Sequence, residues 1–294
     1  MAITQNASIL PFWCLVCRAS TLQRLDQHLK CAGCGATFPI QMGVPILLPA
    51  WEQLNAIASP ETGGITLAQY QAVYDKVYSH DGLMGTDLDE EYDRTTKETL
   101  LAFGGDLAGK RLLDIGTGVG NLWAYVPPGV EGYALDLSAA GVAKAAARFP
   151  GLTVSVSVGE FLPYADGFFD MVIAADTIEH TFSPARTLQE AYRVLRPGGV
   201  LGASFPIPNS LRKWGYNRFL RQRPDLRLLF KLFRVLLKRT LLFGRPDFQP
   251  VDRDYTTDQW VHLLEETGFR VEHVLELPTA PKLPIVTLVK ATRQ

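Results

Sequence analysis

Three groups of residues in this chain have types and spacings that suit chemistry. The first is two cysteine pairs, Cys14-x₂-Cys17 and Cys31-x₂-Cys34, separated by 13 residues. Each pair can present two thiolates from one tight turn, and four thiolates suit a tetrahedral zinc ion. The second is a loop with glycines at alternate positions, Gly116, Gly118 and Gly120, with Thr117 between the first two. It follows the short apolar run Arg111–Ile115, which carries Asp114. Glycines there allow close backbone approach to a ligand. The next apolar run ends in Asp136-Leu137-Ser138, and an acid 20 residues past Gly116 is placed to accept ribose hydroxyls. No phosphate-gripping Lys follows the loop, so an adenosine ligand without a pyrophosphate fits better than a dinucleotide. The third group is Asp176, Glu179 and His180, an acid-base set just after another apolar run.

These residues need elements to hold them. From Lys110 onward, apolar runs alternate with helical stretches. Strands are predicted at 111–115, 131–137, 153–158, 169–175 and 200–205, with two more at 270–277 and 285–291. Helices are predicted at 138–149, 184–195 and 257–267, the second stopped by Pro197-Gly198-Gly199 and the third followed by Gly268. This alternation predicts an α/β fold with a doubly wound, mostly parallel seven-stranded sheet. The third group would then sit after the fourth strand, at the carboxyl edge where such sheets bind ligands. His180 is the best single candidate for a general base. Residues 1–50 read as a small cysteine module of short strands and turns, and residues 51–104 as a linker followed by a helical cap. Residues 105–294 form the third unit, with a helical insertion at 210–250.

The formal net charge is −1, from 29 Lys+Arg and 30 Asp+Glu, which excludes a generally basic nucleic-acid coat. The charge is unevenly distributed. Residues 210–246 hold eleven basic residues and one acid, Asp225, so the remainder is strongly acidic. Arg227, Lys231, Arg234 and Lys238 share one helical face, beside apolar positions such as Leu229, Phe230 and Phe233. A basic amphipathic helix of this type suits a lid over the site, an anionic membrane surface or, with stacked aromatics, nucleic acid. Met1–Pro11 lacks a basic leader and a cleavage-type pattern, so no secretory signal is read. The expected location is cytoplasmic, peripheral at the inner membrane face if the insertion meets lipid. That compartment favours metal over disulfides for the cysteines.

Five landmarks in order carry a family resemblance: Asp114-Ile115-Gly116-Thr117-Gly118-Val119-Gly120, Asp136-Leu137-Ser138, Leu162-Pro163 through Asp170, Thr177-Ile178-Glu179-His180, and Arg193-Val194-Leu195-Arg196-Pro197-Gly198-Gly199. Residues from about 95 to 291 resemble a class I S-adenosylmethionine-dependent methyltransferase of the type 11, quinone-biosynthesis-like kind. The resemblance implies S-adenosylmethionine as cofactor. Asp114 would approach the methionine amino group, and the loop with Gly116, Thr117, Gly118 and Gly120 would pack on the methionine and sugar. Asp136 would take the ribose, and Leu137 would cover the adenine. Relatives often carry an acid where this chain has Val158, so adenine would rely on the backbone at Gly159 and Glu160 and on packing by Leu137 and Phe161.

The resemblance leaves three roles open for Asp176, Glu179 and His180: a structural feature of the fold, a general base at His180, or a Mg²⁺ site of Asp176 and Glu179. Residues 14–49 resemble Trm112-like zinc ribbons through Phe38-Pro39-Ile40 and Gly43-Val44-Pro45. Similar ribbons precede the catalytic domain of ribosomal-RNA guanine methyltransferases, but here Arg18, Arg24 and Lys30 are the module's only Lys or Arg residues. The leading expectation is therefore methyl transfer to oxygen or carbon of a small, lipophilic acceptor, with lipid-linked molecules among the candidates. RNA methylation and a catalytically silent, partner-binding scaffold are the alternatives.

Overall fold

The computed structural model describes residues 9–79, 90–206, 250–279 and 283–294. The basic insertion at 210–246 lies outside the described residues.

Two sheets organise the chain. The first holds β1 (Ile9–Trp13), β2 (Thr21–Leu25), β3 (His28–Cys31), β4 (Thr37–Gln41) and β5 (Val44–Pro45) in chain order, each antiparallel to the next. Its strands have two to five residues because a cysteine knuckle or tight turn interrupts them. Leu22 and Leu29 are fully buried on its inner face.

The stretch at 51–65 is packed against the main domain. It contains α1 (Trp51–Asn55), whose Leu54 is fully buried with Val158, Phe182 and Val251. Helices α2 (Leu67–Ser79) and α3 (Glu90–Ala102) follow.

The second sheet has seven strands in the order β11-β12-β10-β9-β6-β7-β8. They are β6 (Arg111–Ile115), β7 (Glu131–Asp136), β8 (Thr153–Val156), β9 (Phe169–Ala175), β10 (Leu195–Pro206), β11 (Phe269–Thr279) and β12 (Leu283–Arg293). The pairs among β6 to β10 are parallel, and β12 runs antiparallel between β10 and β11. Helices α4 (Ala139–Arg148), α5 (Pro184–Val194) and α6 (Thr257–Glu266) follow β7, β9 and the insertion. Burial on both faces explains why β6, β7 and β9 are nearly continuous apolar runs.

Cap chemistry sets the helix starts. Ser138 accepts from the Gly141 amide, Ser183 from Arg186, and Thr256 forms a capping box with Gln259. Helix α5 ends at Val194, before the Pro-Gly-Gly segment, and the chain is paired as strand from Leu195. The register shifts between Leu195 and Val200, so the glycines form an irregular entry to β10 rather than a separate loop.

One core joins the two sheets. Phe12, Leu22, Leu29 and Leu47 from the cysteine side belong to the same buried cluster as Leu113, Tyr164, Phe169 and Leu201.

Candidate cofactor and active site

The carboxyl ends of β6, β7 and β9 open into a cleft continuous with solvent. Three segments wall it: 115–116 with 135–137, 157–160, and 176–182, while Tyr70, Tyr74 and Tyr78 of α2 close the fourth side.

Asp136 is buried at the end of β7. Its Oδ2 accepts from the Gly118 amide at 2.9 Å and its Oδ1 from the Ser138 amide at 2.8 Å. Each carboxylate oxygen keeps a second lone pair, so two ribose hydroxyls can still be accepted. Burial pushes its pKa up to about 6, against the pull of those two amides. Leu137 lines the cleft beside it, and its carbonyl accepts from Gln71 of α2 at 3.1 Å. Asp75 of α2 accepts from the Ser138 hydroxyl at 2.6 Å and the Ala140 amide at 3.1 Å. Helix α2 is therefore tied to the cleft rim beside Asp136.

The glycine loop divides into parts. Gly116 lines the cleft. Gly118 has φ +54°, and a Cβ there would meet the Tyr78 hydroxyl at 2.8 Å, so the phenol rests on the loop. Gly120 has φ +82° and lies against Ala145 and Phe149, where a Cβ would meet them at 3.1 and 3.2 Å. Gly120 thus permits packing of α4 and does not face the cleft. Thr117 and Asp114 are buried below the loop and do not line the cleft either. Burial pushes Asp114 up to about 6, offset in part by the Lys97 ammonium. Its Oδ2 accepts no hydrogen bond from the described residues.

On the next wall, Val158, Gly159 and Glu160 line the cleft. Glu160 is buried, and its Oε1 accepts from the Ser183 amide at 3.0 Å; burial holds its carboxyl above the usual range. Phe161 departs from expectation. It does not line the cleft but lies between the Arg18 and Arg186 guanidiniums, 5.6 and 5.7 Å from its ring centre.

The third wall carries the acid-base set, but its three members have different surroundings. Asp176 lines the cleft with φ +48°, an uncommon conformation for a non-glycine residue. Ser204 of β10 holds it there: the Ser204 hydroxyl accepts from the Asp176 amide at 2.9 Å and donates to Oδ1 at 2.8 Å. His180 also lines the cleft. Its Nδ1 lies 2.8 Å from the Val251 carbonyl. A carbonyl only accepts, so Nδ1 carries the proton and the neutral ring has its lone pair on Nε2. Burial lowers the His180 pKa, which favours that neutral form. Glu179 is 1% exposed and turned from the cleft, with Oε1 3.5 Å from His180 Nε2. It belongs behind the histidine, not in the open site.

Arg253 is a residue that sequence reading missed. Its buried guanidinium donates to the carbonyls of Glu179, Thr181 and Phe182 at 3.0, 2.6 and 3.2 Å, and to the Ser59 hydroxyl. It fastens the loop that bears His180. Tyr70 adds a hydrogen bond to the His180 carbonyl. A lone arginine after a long insertion gives no local signal of this role.

The four cysteine sulfurs lie within 4.8 Å of one another, with Cys14–Cys34 and Cys17–Cys31 both at 3.6 Å. Bonds of about 2.3 Å to a tetrahedral ion put sulfurs about 3.8 Å apart, so the set fits zinc. A disulfide needs about 2.05 Å. The Cys34 amide donates to Cys31 Sγ at 3.4 Å, a bond that favours the thiolate.

A strand, a glycine loop and an acid ending the next strand lie at the cleft, and residues 113–203 match the family model described as a methyltransferase domain. That stretch, under half of the chain, is similar to methyltransferase domains. Two curated relatives match parts of the chain. The ubiquinone/menaquinone biosynthesis C-methyltransferase UbiE of Roseobacter denitrificans is 31% identical over 147 residues, 47% of this chain and 59% of that protein. Norajmaline N-methyltransferase of Rauvolfia serpentina is 35% identical over 100 residues, 31% of this chain and 34% of that protein. In both cases, less than two thirds of the relative is spanned. Among solved structures, the Haloferax volcanii complex of the Trm112 methyltransferase activator with a methyltransferase matches at TM-score 0.54 and 17% identity, over 75% of this chain and 97% of that one. The cyclase SpnF also matches at 0.54, with 19% identity over 76% of this chain and 95% of its own. These two structures share the fold of the methyltransferase domain. No helix among the described residues is long and apolar enough to cross a membrane.

Proposed function

We propose that the protein is an S-adenosylmethionine-dependent methyltransferase acting on oxygen or carbon of a small, lipophilic acceptor. The observation that carries this reading is the pairing of Asp136 with an apolar, tyrosine-lined side of the same cleft. S-adenosylmethionine, when bound, supplies a methyl group activated by a sulfonium.

This chain's residues would do the rest. Asp136 accepts the ribose hydroxyls. The backbone around Gly116, with Asp114 buried beneath it, receives the amino-acid end, and Val158, Gly159 and Leu137 cover the base. Tyr70, Tyr74, Tyr78 and Phe182 present an apolar face to the acceptor. His180 is the base of this reading, its loop held by Val251 and Arg253, with Nε2 lying 3.5 Å from Glu179 Oε1. Alignment of the acceptor with the methyl group supplies most of the acceleration. A Mg²⁺ between Asp176 and Glu179 is not favoured, because Glu179 faces His180 rather than the cleft.

In this reading the four cysteines hold a structural zinc. The insertion at 210–246 remains a proposed contact for an anionic membrane surface, which would bring a lipid-linked acceptor to the cleft. Its binding to anionic liposomes should fall with added salt. RNA as acceptor has less support. Arg18, one of the module's few cations, is engaged with Glu190 at 3.2 Å. A labelled-methyl transfer assay on fractionated lipid and RNA extracts tests the reading. Label in the lipid fraction is the expected result, and label confined to RNA overturns it. Calorimetric absence of S-adenosylmethionine binding would instead favour a silent scaffold.

A further inference from the structure

The cleft wall at 157–160 is fastened from outside the methyltransferase domain at both of its ends. At its start, the Leu47 amide donates to the Val156 carbonyl at 2.8 Å, and the Ser157 hydroxyl donates to the Leu47 carbonyl at 3.0 Å. Ile46 forms a parallel bridge with Val156, so the chain leaving β5 extends the seven-stranded sheet at its β8 edge. At its end, the Trp13 amide donates to the Pro163 carbonyl at 2.8 Å. Next to that, the Leu162 amide donates to Glu190 Oε2 at 3.0 Å, and the same oxygen pairs with Arg18 at 3.2 Å.

Two of the anchoring residues adjoin the first cysteine pair in sequence. Trp13 precedes Cys14, and Arg18 follows Cys17 in the left-handed region at φ +50°. The Arg18 amide donates to the Cys14 carbonyl at 3.0 Å, which closes that knuckle. The knuckle's geometry therefore sets where Arg18 and Trp13 meet the wall. A small sheet with strands of two to five residues has little apolar core of its own, so the metal must help to fix that geometry.

We infer that the four-cysteine module is a built-in clamp of the adenosine-side wall, so that metal occupancy sets cofactor affinity. The inference rests on the proposed identity of the cleft's ligand and of the metal. By linkage, the cofactor must tighten metal binding by the same factor.

The test uses the full chain, metal-loaded and chelator-treated, with circular dichroism to verify retention of the main sheet. Calorimetric titration with S-adenosylmethionine should show Kd raised about tenfold on metal removal, a coupling within the usual range. Competition with a chromogenic zinc chelator should show the reciprocal tightening when S-adenosylmethionine is present. Amide exchange at Leu47 and Leu162 should accelerate in the metal-free protein, while β6 and β9 stay protected. Arg18→Met keeps the cysteines and tests the anchor alone. It should raise Kd about threefold, since Arg18 is partly exposed and its ion pair is screened. An equal Kd in loaded and metal-free folded protein, with unchanged exchange at both amides, overturns the clamp. No cofactor binding by the loaded protein overturns the reading of the cleft, and the clamp with it. If the folded protein binds no zinc, the metal-dependent clamp is likewise overturned.

Discussion

The two long walls of the cleft are held by different means. The wall at 157–160 is anchored mainly through backbone groups contributed by the cysteine module, at Leu47 and Trp13, with one ion-paired side chain, Glu190, receiving Leu162. The wall at 176–182 is held mainly by side chains reaching in from distant elements: Ser204 on Asp176, Arg253 on three carbonyls, and Tyr70 on the His180 carbonyl. A wall set by backbone pairing moves only with the module that supplies the pairing. A wall set by individual side chains can be disturbed one residue at a time. Changes on the first should therefore appear in cofactor affinity, and changes on the second in turnover.

The largest effect should come from Cys31→Ser. A structural zinc contributes on the order of 10 kcal/mol to folding of a small module. Metal stoichiometry should fall to near zero and protease should cut between residues 14 and 41, while the seven-stranded sheet keeps its circular dichroism. Retained zinc at wild-type stoichiometry would remove the metal from the comparison.

His180→Ala comes next. Loss of a positioned base should lower kcat by about 10²- to 10⁴-fold with cofactor Kd unchanged. Unchanged kcat at saturating acceptor would leave the second wall without its base.

Arg253→Met should cost about 2–3 kcal/mol in urea unfolding, because hydrogen bonds from a buried cation are lost and carbonyls are left unpaired. It should lower kcat more than cofactor affinity. The reverse split would mean that the two walls are not separable.

The smallest effect is a pH dependence on the cofactor side. Burial raises the Asp136 pKa to about 6, and the ionised form accepts ribose hydroxyls. Affinity should be fully present above that value and weaken by up to about tenfold per unit as pH falls below it. His180 has the opposite direction of shift, so its neutral form persists as pH falls toward the ordinary imidazole range. A plot of log Kd against pH that stays flat from 7.5 to 5 would exclude Asp136 as the titrating contact.

Local residues in the sequence determined much of this. The alternation of apolar runs and helices, the three glycines, Asp136 and the paired cysteines depend on neighbours within a turn or a strand, so their types and spacing are legible along the chain. The cap residues Ser138, Ser183 and Thr256 are legible for the same reason, since a cap bonds only two or three residues away. Glu190 was hidden because Arg186, Glu190 and Arg193 have the spacing of an ordinary solvated helix face. In the fold, that face is buried under the cysteine module, and Glu190 is 1% exposed. Arg253 was hidden because its partners lie 71 to 194 residues away. The tertiary structure also sorted the motifs that sequence had grouped together. Of the loop glycines, Gly116 faces the cleft and Gly120 faces α4, and of the two acids beside His180, Asp176 faces the cleft and Glu179 lies behind it. Strand and turn chemistry places a residue at the edge of a sheet. Which way its side chain faces there is decided by the elements packed on either side, and those come from distant parts of the chain.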